Sequence, residues 1–230
     1  MNHLNNILRI KAVHKALGSM RDEVVFVGGA TVSLYADRIA EEVRPTEDVD
    51  ILIELWAHKD YAAVEDKLRE IGFVNNLESK IACRYIIQGI TVDVMATGEK
   101  ALGFSNKWYP TGFKNAFDYL IEDEYPVKIF TAPYFIATKL EAFKSPARKD
   151  NNNGIYSSDF EDIVFVLENR SAIWEELQAA PQDVKNYLKE EFGRLLQKPV
   201  FEEWIDSHAG FGSPPATYYI MQKIEEFVSL

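Results

Sequence analysis

The sequence predicts an α+β fold in which a mixed β-sheet backed by helices is followed by a mainly helical C-terminal domain. In the first half, short apolar runs alternate with apolar residues at helical spacing, which is the pattern of strands and helices that share one core. In the second half, helical spacing dominates from about Ser158 onward. We therefore expect two domains, over residues 1–130 and 131–230.

The predicted elements can be placed in order from apolar spacing and from the residues that end helices. Gly18 and Gly72 follow two helical patterns, as glycine commonly does at a helix C-terminus. Gln88-Gly89 separates two strand patterns and predicts a hairpin. The resulting order is a helix over 4–17, a strand over 24–27, a helix from about 30 to 39, a strand ending at 53, a helix over 60–71, hairpin strands over 81–87 and 90–95, a short strand over 127–130 and a helix from 133 to about 143.

Composition and length are those of an ordinary globular protein. The 230 residues, 47% of them hydrophobic, allow a sizeable core. No apolar run approaches the roughly 20 residues of a membrane span, so we expect no membrane association. Cys83 is the only cysteine, which excludes an intrachain disulfide and predicts a reducing compartment. Because residues 1–6 lack the pattern of a signal peptide, we expect a cytoplasmic protein.

The net charge of −11 argues against general DNA or RNA binding. Proteins that grip a long nucleic acid are usually basic, because much of the affinity comes from contacts to phosphates. The acidity does not exclude a nucleotide or the end of a tRNA, since a metal site and a local basic patch can hold either.

Two aspartates on the strand that ends at Ile53 are the first candidate functional residues. Successive side chains of a strand point to opposite faces, so Asp48 and Asp50 project together. Two adjacent carboxylates repel each other, and a divalent cation relieves that repulsion. Hard oxygen ligands of this kind suit Mg²⁺ or Mn²⁺. The alternative interpretation is a pair of solvent-facing carboxylates on an edge strand.

A glycine pair lies between the strand over 24–27 and the helical pattern that follows it. At such a turn, Gly28 and Gly29 would let the backbone approach a ligand closely. The N–H groups at the start of a following helix favour an anion such as phosphate. A phosphate-binding turn next to a metal-binding strand suggests nucleotidyl transfer. A tight strand-to-helix turn without a ligand is the alternative.

These two motifs belong to a longer pattern of five stretches: Phe26–Thr31, Arg44–Asp50, Val92–Met95, Gly103–Asn106 and Ala132–Phe143. In this order they resemble the DNA-polymerase-β-like nucleotidyltransferase superfamily, and more narrowly bacterial nucleotidyltransferases of the AbiEii/AbiGii toxin type. The resemblance covers roughly half of the chain, and a weaker match near Asp159 extends it. It implies a nucleotidyltransferase-type sheet and transfer of a nucleoside monophosphate from an NTP to a hydroxyl group, with Mg²⁺ or Mn²⁺ as the cofactor.

The resemblance also implies roles for residues outside the first two motifs. Asp93, on the second hairpin strand, would be the third carboxylate, which ligates the metal and takes the proton of the attacking hydroxyl. Lys139 would hold the triphosphate, and a solvated helix lysine is the alternative. Asp159 and Asp162 would orient Lys139 or the nucleotide.

Two residues just before Asp48 are further candidates. Thr46 would share the face of Asp48 if the strand begins early, so that its hydroxyl reaches phosphate or the groups around the metal. Arg44 would counter the charge of a triphosphate, or pair with a nearby glutamate. The candidate nucleotide-binding residues are thus Gly28, Gly29, Arg44, Thr46, Lys139, Asp159 and Asp162. The candidate catalytic and metal-binding residues are Asp48, Asp50 and Asp93.

We therefore expect a metal-dependent nucleotidyltransferase that uses two metal ions. Because the family that the chain resembles includes toxins, the acceptor would be tRNA or a protein side chain, and a cognate antitoxin would be a partner. Two alternatives stay open. One is a nucleotide-binding or regulatory module that has lost catalysis, and the other is an acidic protein-interaction partner.

Overall fold

The computed structural model describes residues 2–37, 43–55, 58–79, 81, 83–98, 106–122, 124–148, 150, 152–210 and 216–230. The chain divides into two compact units, here called the sheet unit (Met1–Ser33 and Glu42–Thr131) and the helical unit (Leu34–Glu41 and Ala132–Leu230). Whether each unit is a domain that folds by itself stays a prediction.

The sheet unit is built on a mixed sheet, which confirms the predicted fold class. Its strands are β1 Val24–Val27, β2 Asp48–Ile53, β3 Val74–Asn75, β4 Arg84–Ile87, β5 Ile90–Ala96, β6 Phe117–Ile121 and β7 Tyr125–Ile129. Within the described residues, these seven strands lie in the order β3-β4-β5-β2-β1-β7-β6. The pairs β2–β5 and β1–β7 are parallel, and the other neighbours are antiparallel.

Helices α1 Asn2–Ala16, α2 His58–Glu70 and α3 Tyr109–Lys114 complete the sheet unit, together with a 3-10 helix over Gly18–Glu23. Helix α1 buries Ile7, Ile10 and Val13 at steps of three residues, as its apolar spacing predicts. All four residues of β1 are buried. Since β1 and β2 lie at the centre of the sheet, their positions are well fixed by packing.

The hairpin between β4 and β5 is closed by the two residues Gln88 and Gly89. Both have positive φ, +51° and +79°, as the type I′ turn of a two-residue hairpin requires. The turn sets the register, in which Ile87 pairs with Ile90 and therefore Arg84 pairs with Asp93.

One prediction about this part of the chain needs correction, and not every strand was predicted. The helix expected from about 30 to 39 is a 3-10 helix over Gly29–Tyr35, and residues 38–39 lie outside the described part of the chain. Its residues are buried on every side, and β-branched Thr31 and Val32 disfavour an α-helix. Strand β6 was not predicted, because four of its five side chains are at least partly exposed and Leu120 interrupts the alternation of apolar and polar residues.

The helical unit contains a set of helices that follow the predicted pattern: α4 Ala132–Phe143, a 3-10 helix Gly154–Tyr156, α5 Ser158–Asn169, α6 Ile173–Ala179, α7 Gln182–Leu196, α8 Phe201–Asp206 and α9 Ala216–Ser229. Aromatic rings fill its core, where Trp204 stands edge-on to Phe143 and Phe160 with ring centroids 5.9 and 5.7 Å apart. Among the described residues, none of the helices is both long and apolar enough to cross a membrane.

Candidate functional site

A row of charged side chains crosses three neighbouring strands of the sheet unit. Asp50 of β2 is in register with Asp93 of β5, and Asp93 is in register with Arg84 of β4. Residues in register on adjacent strands project from the same face of a sheet. Asp48, two residues before Asp50, projects from that face as well. The structure thus brings the three predicted carboxylates to one face.

Arg84 links two of these carboxylates and was not among the predicted site residues. Its Nε donates to Asp93 Oδ1 at 2.7 Å. One of its terminal nitrogens, Nη2, donates to Asp93 Oδ2 at 2.7 Å and to Asp48 Oδ2 at 2.8 Å. Hydrogen bonding to Asp93 raises the pKa of Arg84 above its ordinary value, so the guanidinium stays charged. Arg84 therefore cross-links β4, β5 and β2 through charge-assisted hydrogen bonds.

The carboxylates differ in their access to solvent. The side chain of Asp93 is 12% exposed and that of Asp48 is 34% exposed, and Asp50 is half-buried. The carboxylates of Asp48, Asp50 and Asp93 supply hard oxygen ligands of the kind that Mg²⁺ or Mn²⁺ prefers. Among the described residues, no group of three or more His, Cys, Asp or Glu side chains is arranged to hold a metal ion. The carboxylates that could bind a metal ion are present, but Arg84 bridges two of them, those of Asp48 and Asp93.

The turn after β1 lies directly against Asp50. Gly28 has a φ of +73°, and a Cβ built on it would lie 1.8 Å from Asp50 Oδ2. Only glycine fits both the backbone conformation and the space. The predicted glycine turn therefore lies directly against the predicted metal strand.

Arg44 lies at the second glycine of the turn. A Cβ built on Gly29 would lie 2.2 Å from Arg44 Nη2, so the guanidinium reaches over the backbone of this residue. A cation at this place would attract an anion such as phosphate. The hydroxyl of Thr31 donates to the carbonyl of Gly28 at 2.9 Å, which ties the turn to the 3-10 helix that follows.

Thr46 is buried and its hydroxyl donates to Asn6 Oδ1 at 2.8 Å. Arg9 donates to the carbonyl oxygen of Thr46. Both contacts tie helix α1 to the residues that lead into β2. The role of Thr46 at a nucleotide stays a prediction.

The other predicted residues form a separate ion cluster inside the helical unit. Lys139 Nζ on α4 lies 3.0 Å from Asp159 Oδ1 and 2.7 Å from Asp162 Oδ2, one helical turn apart on α5. The side chain of Lys139 is 8% exposed and that of Asp162 is 1% exposed. Arg148, which the sequence analysis did not single out, adds an ion pair of 2.6 Å to Asp159 Oδ2. Lys139 is thus a buried, paired lysine and not the solvated one of the alternative interpretation.

The hydroxyl of Ser157 fixes the start of α5 by accepting a hydrogen bond from the N–H of Phe160. This N-cap sets the position of the first turn of the helix, to which Asp159 belongs. Within the resembling stretches, residues 103–105 lie outside the described part of the chain.

Comparisons with known proteins agree with this description. The chain matches the family model of the nucleotidyl transferase AbiEii toxin of type IV toxin–antitoxin systems over residues 15–203. Its fold is similar to the solution structure of the antibiotic-resistance factor ANT(2'')-Ia, with a TM-score of 0.50 and 12% sequence identity, over 83% of this chain and 96% of that one. No curated protein matches the chain. Because the family model spans most of its length, the chain belongs to the AbiEii family of nucleotidyl transferase toxins.

Proposed function

We propose that the protein transfers a nucleoside monophosphate from an NTP to a hydroxyl group of an acceptor, which is either tRNA or a protein side chain. The observation that supports this best is the register of Asp50 and Asp93 on adjacent parallel strands, directly beside the Gly28 turn. This arrangement puts carboxylate oxygens, and the guanidinium of Arg44, directly against a glycine turn of the backbone.

The proposed metal ligands are Asp48, Asp50 and Asp93, with Mg²⁺ or Mn²⁺ as the cofactor. When bound, two such ions supply electrostatic stabilisation of the attacking and leaving oxygens of the displacement. The remaining work falls to the side chains and backbone of this chain.

In the proposed reaction, the acceptor oxygen forms a bond to the α-phosphorus as the bond from that phosphorus to the bridging oxygen breaks, and pyrophosphate leaves. Asp93 accepts the proton of the acceptor hydroxyl. The side chain of Asp93 is 12% exposed, against 34% for that of Asp48. Gly28 and Gly29 present the backbone to phosphate, and Arg44 offsets the phosphate charge.

In the helical unit, we propose Lys139 as the contact to the triphosphate. Asp159 and Asp162 hold its ammonium in place, which supports their proposed role in orienting this lysine. We also propose that Thr46, which lies just before β2, contacts the phosphate or the groups around the metal.

The alternative function is a nucleotide-binding module without catalysis. The bridge of Arg84 between Asp48 and Asp93 favours it, because a guanidinium that never leaves would keep metal ions out. Labelling separates the two functions. The protein is incubated with Mg²⁺, with each NTP labelled at the α-phosphate in turn, and with tRNA or bacterial proteins as acceptors.

Label on an acceptor, lost in the Asp48→Asn variant, is the result expected for the transferase. NTP binding by calorimetry without any transferred label would support the inactive module instead. Absence of NTP binding would support the third alternative, in which the protein is an acidic protein-interaction partner.

Because the chain belongs to a toxin family, we further propose a cognate antitoxin as its partner. The neighbouring reading frame is the place to look for it. Expression of the chain should slow bacterial growth, and co-expression of the neighbouring frame should restore it. Growth arrest that this frame does not relieve would exclude it as the antitoxin.

A further inference from the structure

Arg84 supplies the positive charge that the carboxylates would otherwise receive from a metal ion, and it also donates hydrogen bonds to them. Its Nη2 lies within 2.8 Å of oxygens of both Asp48 and Asp93, and its Nε holds the second oxygen of Asp93. A guanidinium in this fork-like geometry binds carboxylates strongly. With these bonds in place, both oxygens of Asp93 and one of Asp48 already have a cationic partner.

The position of Arg84 is set by the fold and not by a flexible loop. The two-residue turn at Gln88 and Gly89 places Arg84 opposite Asp93 on the antiparallel pair β4–β5. Its side chain is 24% exposed. The side chain is therefore partly open to solvent, and rotation about its own bonds would move the guanidinium away from the carboxylates while the strands stay in place.

We propose that Arg84 is a built-in counter-ion of this site, and that a divalent cation binds Asp48 and Asp93 only by displacing it. The inference rests on the proposed function, since it takes these aspartates as metal ligands. Without a metal, Arg84 relieves the repulsion between the two carboxylates. With a metal, the same bonds have to be broken, so Arg84 lowers the affinity of the site for the free ion.

The test is a titration with Mn²⁺ alone, in which free Mn²⁺ is measured by electron paramagnetic resonance. Wild-type protein is compared with Arg84→Gln. The matched control is Arg69→Gln, which removes the same charge from helix α2 of the same unit, where Arg69 is half-exposed and pairs with Glu65 and Asp66.

We expect Arg84→Gln to tighten Mn²⁺ binding by about tenfold or more, since at least one charge-assisted hydrogen bond no longer competes. Arg69→Gln should stay within about twofold of wild type, because an exposed charge is screened. Equal or weaker Mn²⁺ binding by Arg84→Gln, together with measurable binding by wild type, would overturn the counter-ion proposal and leave the proposed function standing. If neither protein binds Mn²⁺, the metal assignment itself is wrong.

A second measurement uses the wild-type protein, so that it does not depend on the folding of a variant. Arginine is labelled with ¹⁵N, and the Nε–H resonance of Arg84 is followed by NMR during a Mg²⁺ titration. Displacement predicts that this resonance moves and exchanges faster with solvent as the site fills. An unchanged Arg84 resonance in Mg²⁺-saturated protein would contradict displacement.

Discussion

The carboxylate of Asp50 lies in the space that a side chain at residue 28 would occupy. A Cβ on Gly28 would be 1.8 Å from Asp50 Oδ2, and the φ of Gly28 is +73°. Glycine is therefore required at this position for two independent reasons, one in the backbone and one in the neighbouring strand. The close approach also means that a disturbance of the turn is passed directly to a proposed metal ligand.

The first prediction follows from this contact. Gly28→Ala should lower the free energy of unfolding by about 1–2 kcal/mol from the left-handed backbone alone, and by more because Asp50 has to move. Nucleotidyl transfer should fall with it, since the displaced carboxylate can no longer serve the site. Urea denaturation gives the stability, and labelled transfer gives the activity.

Gly18→Ala provides the matched control. Gly18 also has a positive φ, of +57°, but a Cβ there would meet nothing within 4 Å. This variant should carry the backbone strain without any effect on transfer. If the two variants lose the same stability and the same activity, the contact between Gly28 and Asp50 does not contribute to nucleotidyl transfer.

The second prediction concerns the two aspartates of β2. Asp48→Asn or Asp50→Asn keeps the shape of the side chain and removes the charge, so the fold should survive while transfer is lost. Asp66→Asn is the control, because Asp66 is an exposed aspartate on α2 that pairs with Arg69. Circular dichroism checks the fold and labelled transfer checks the activity. A wild-type rate in either β2 variant would remove that aspartate from the metal site.

Much of the fold was predictable because most of its elements have clear periods. Strand β1 is a run of four apolar residues and is buried on both faces, and α1 repeats its apolar residues at helical steps. The 3-10 helix over Gly29–Tyr35 was expected as an α-helix because apolar spacing does not distinguish the two in a short, fully buried segment. Edge strand β6 has too little burial to produce a pattern.

Among the candidate residues of the two units, the aspartates were singled out from the sequence, but Arg84 and Arg148, which pair with some of them, were not. For Arg84 the signal existed. A two-residue turn at Gln88-Gly89 fixes the register of the hairpin, and counting back from it places Arg84 opposite Asp93. For Arg148 there was no such signal, because it lies outside any regular element and its pairing with Asp159 depends on tertiary structure.

The third prediction is a pH dependence of stability caused by His14. This side chain is buried on α1, and burial, together with the charge of Arg21, lowers its pKa below the ordinary 6.5, although a hydrogen bond with the backbone of Pro126 opposes the shift. The folded state then binds fewer protons than the unfolded state as the pH falls below about 6.5. The contribution of uncharged His14 to the free energy of unfolding is therefore complete above about pH 6.5. Below that pH it decreases, by at most about 1.4 kcal/mol per pH unit.

Urea denaturation between pH 7.5 and pH 5 measures this effect. His14→Gln should show a shallower decrease in the free energy of unfolding than wild type, because glutamine does not titrate. His3→Gln, at an exposed position of the same helix, is the control. Equal slopes in wild type and His14→Gln would show that His14 makes no contribution.

The fourth prediction separates two roles of Lys139. Lys139→Ala leaves Asp162 and Asp159 buried without this cation, so it should lower the free energy of unfolding by about 3–5 kcal/mol. If Lys139 also contacts the triphosphate, NTP affinity should weaken by about 1.5–3 kcal/mol, the value of a charge-assisted contact. Both quantities are measured on the same preparations, by urea denaturation and calorimetry.

Asp162→Asn is the variant that tells these roles apart. It destabilises the same cluster but keeps the positive charge of Lys139, with one carboxylate fewer to hold it. A lysine that contacts nucleotide should then bind NTP as tightly as in wild type, or more tightly. If NTP affinity stays at the wild-type value in Lys139→Ala, or falls equally in both variants, Lys139 acts only in the structure of the helical unit.

The last prediction tests the mechanism through Asp93. Asp48 and Asp50 share β2 and together can hold a metal–triphosphate complex, whereas Asp93 stands on β5 and is proposed to take the proton of the acceptor hydroxyl. Asp93→Asn should therefore reduce turnover by at least about 10²-fold, as expected for the loss of a general base. Mg²⁺-dependent NTP affinity should remain within a few-fold of wild type, because the ligands on β2 are unchanged.

The same variant has a structural consequence that must be measured beside its activity. The amide introduced by Asp93→Asn has a single acceptor oxygen, so it keeps only one of the two hydrogen bonds that Arg84 now donates to separate oxygens of Asp93. Part of the link between β4 and β5 is therefore lost, and thermal unfolding without metal gives the size of that loss. An enzyme that is well folded at the assay temperature and slow, with near-normal NTP affinity, fits a proton acceptor. Collapse of NTP affinity in the folded variant would make Asp93 a ligand on the nucleotide side of the site, and unchanged turnover would exclude it from catalysis altogether.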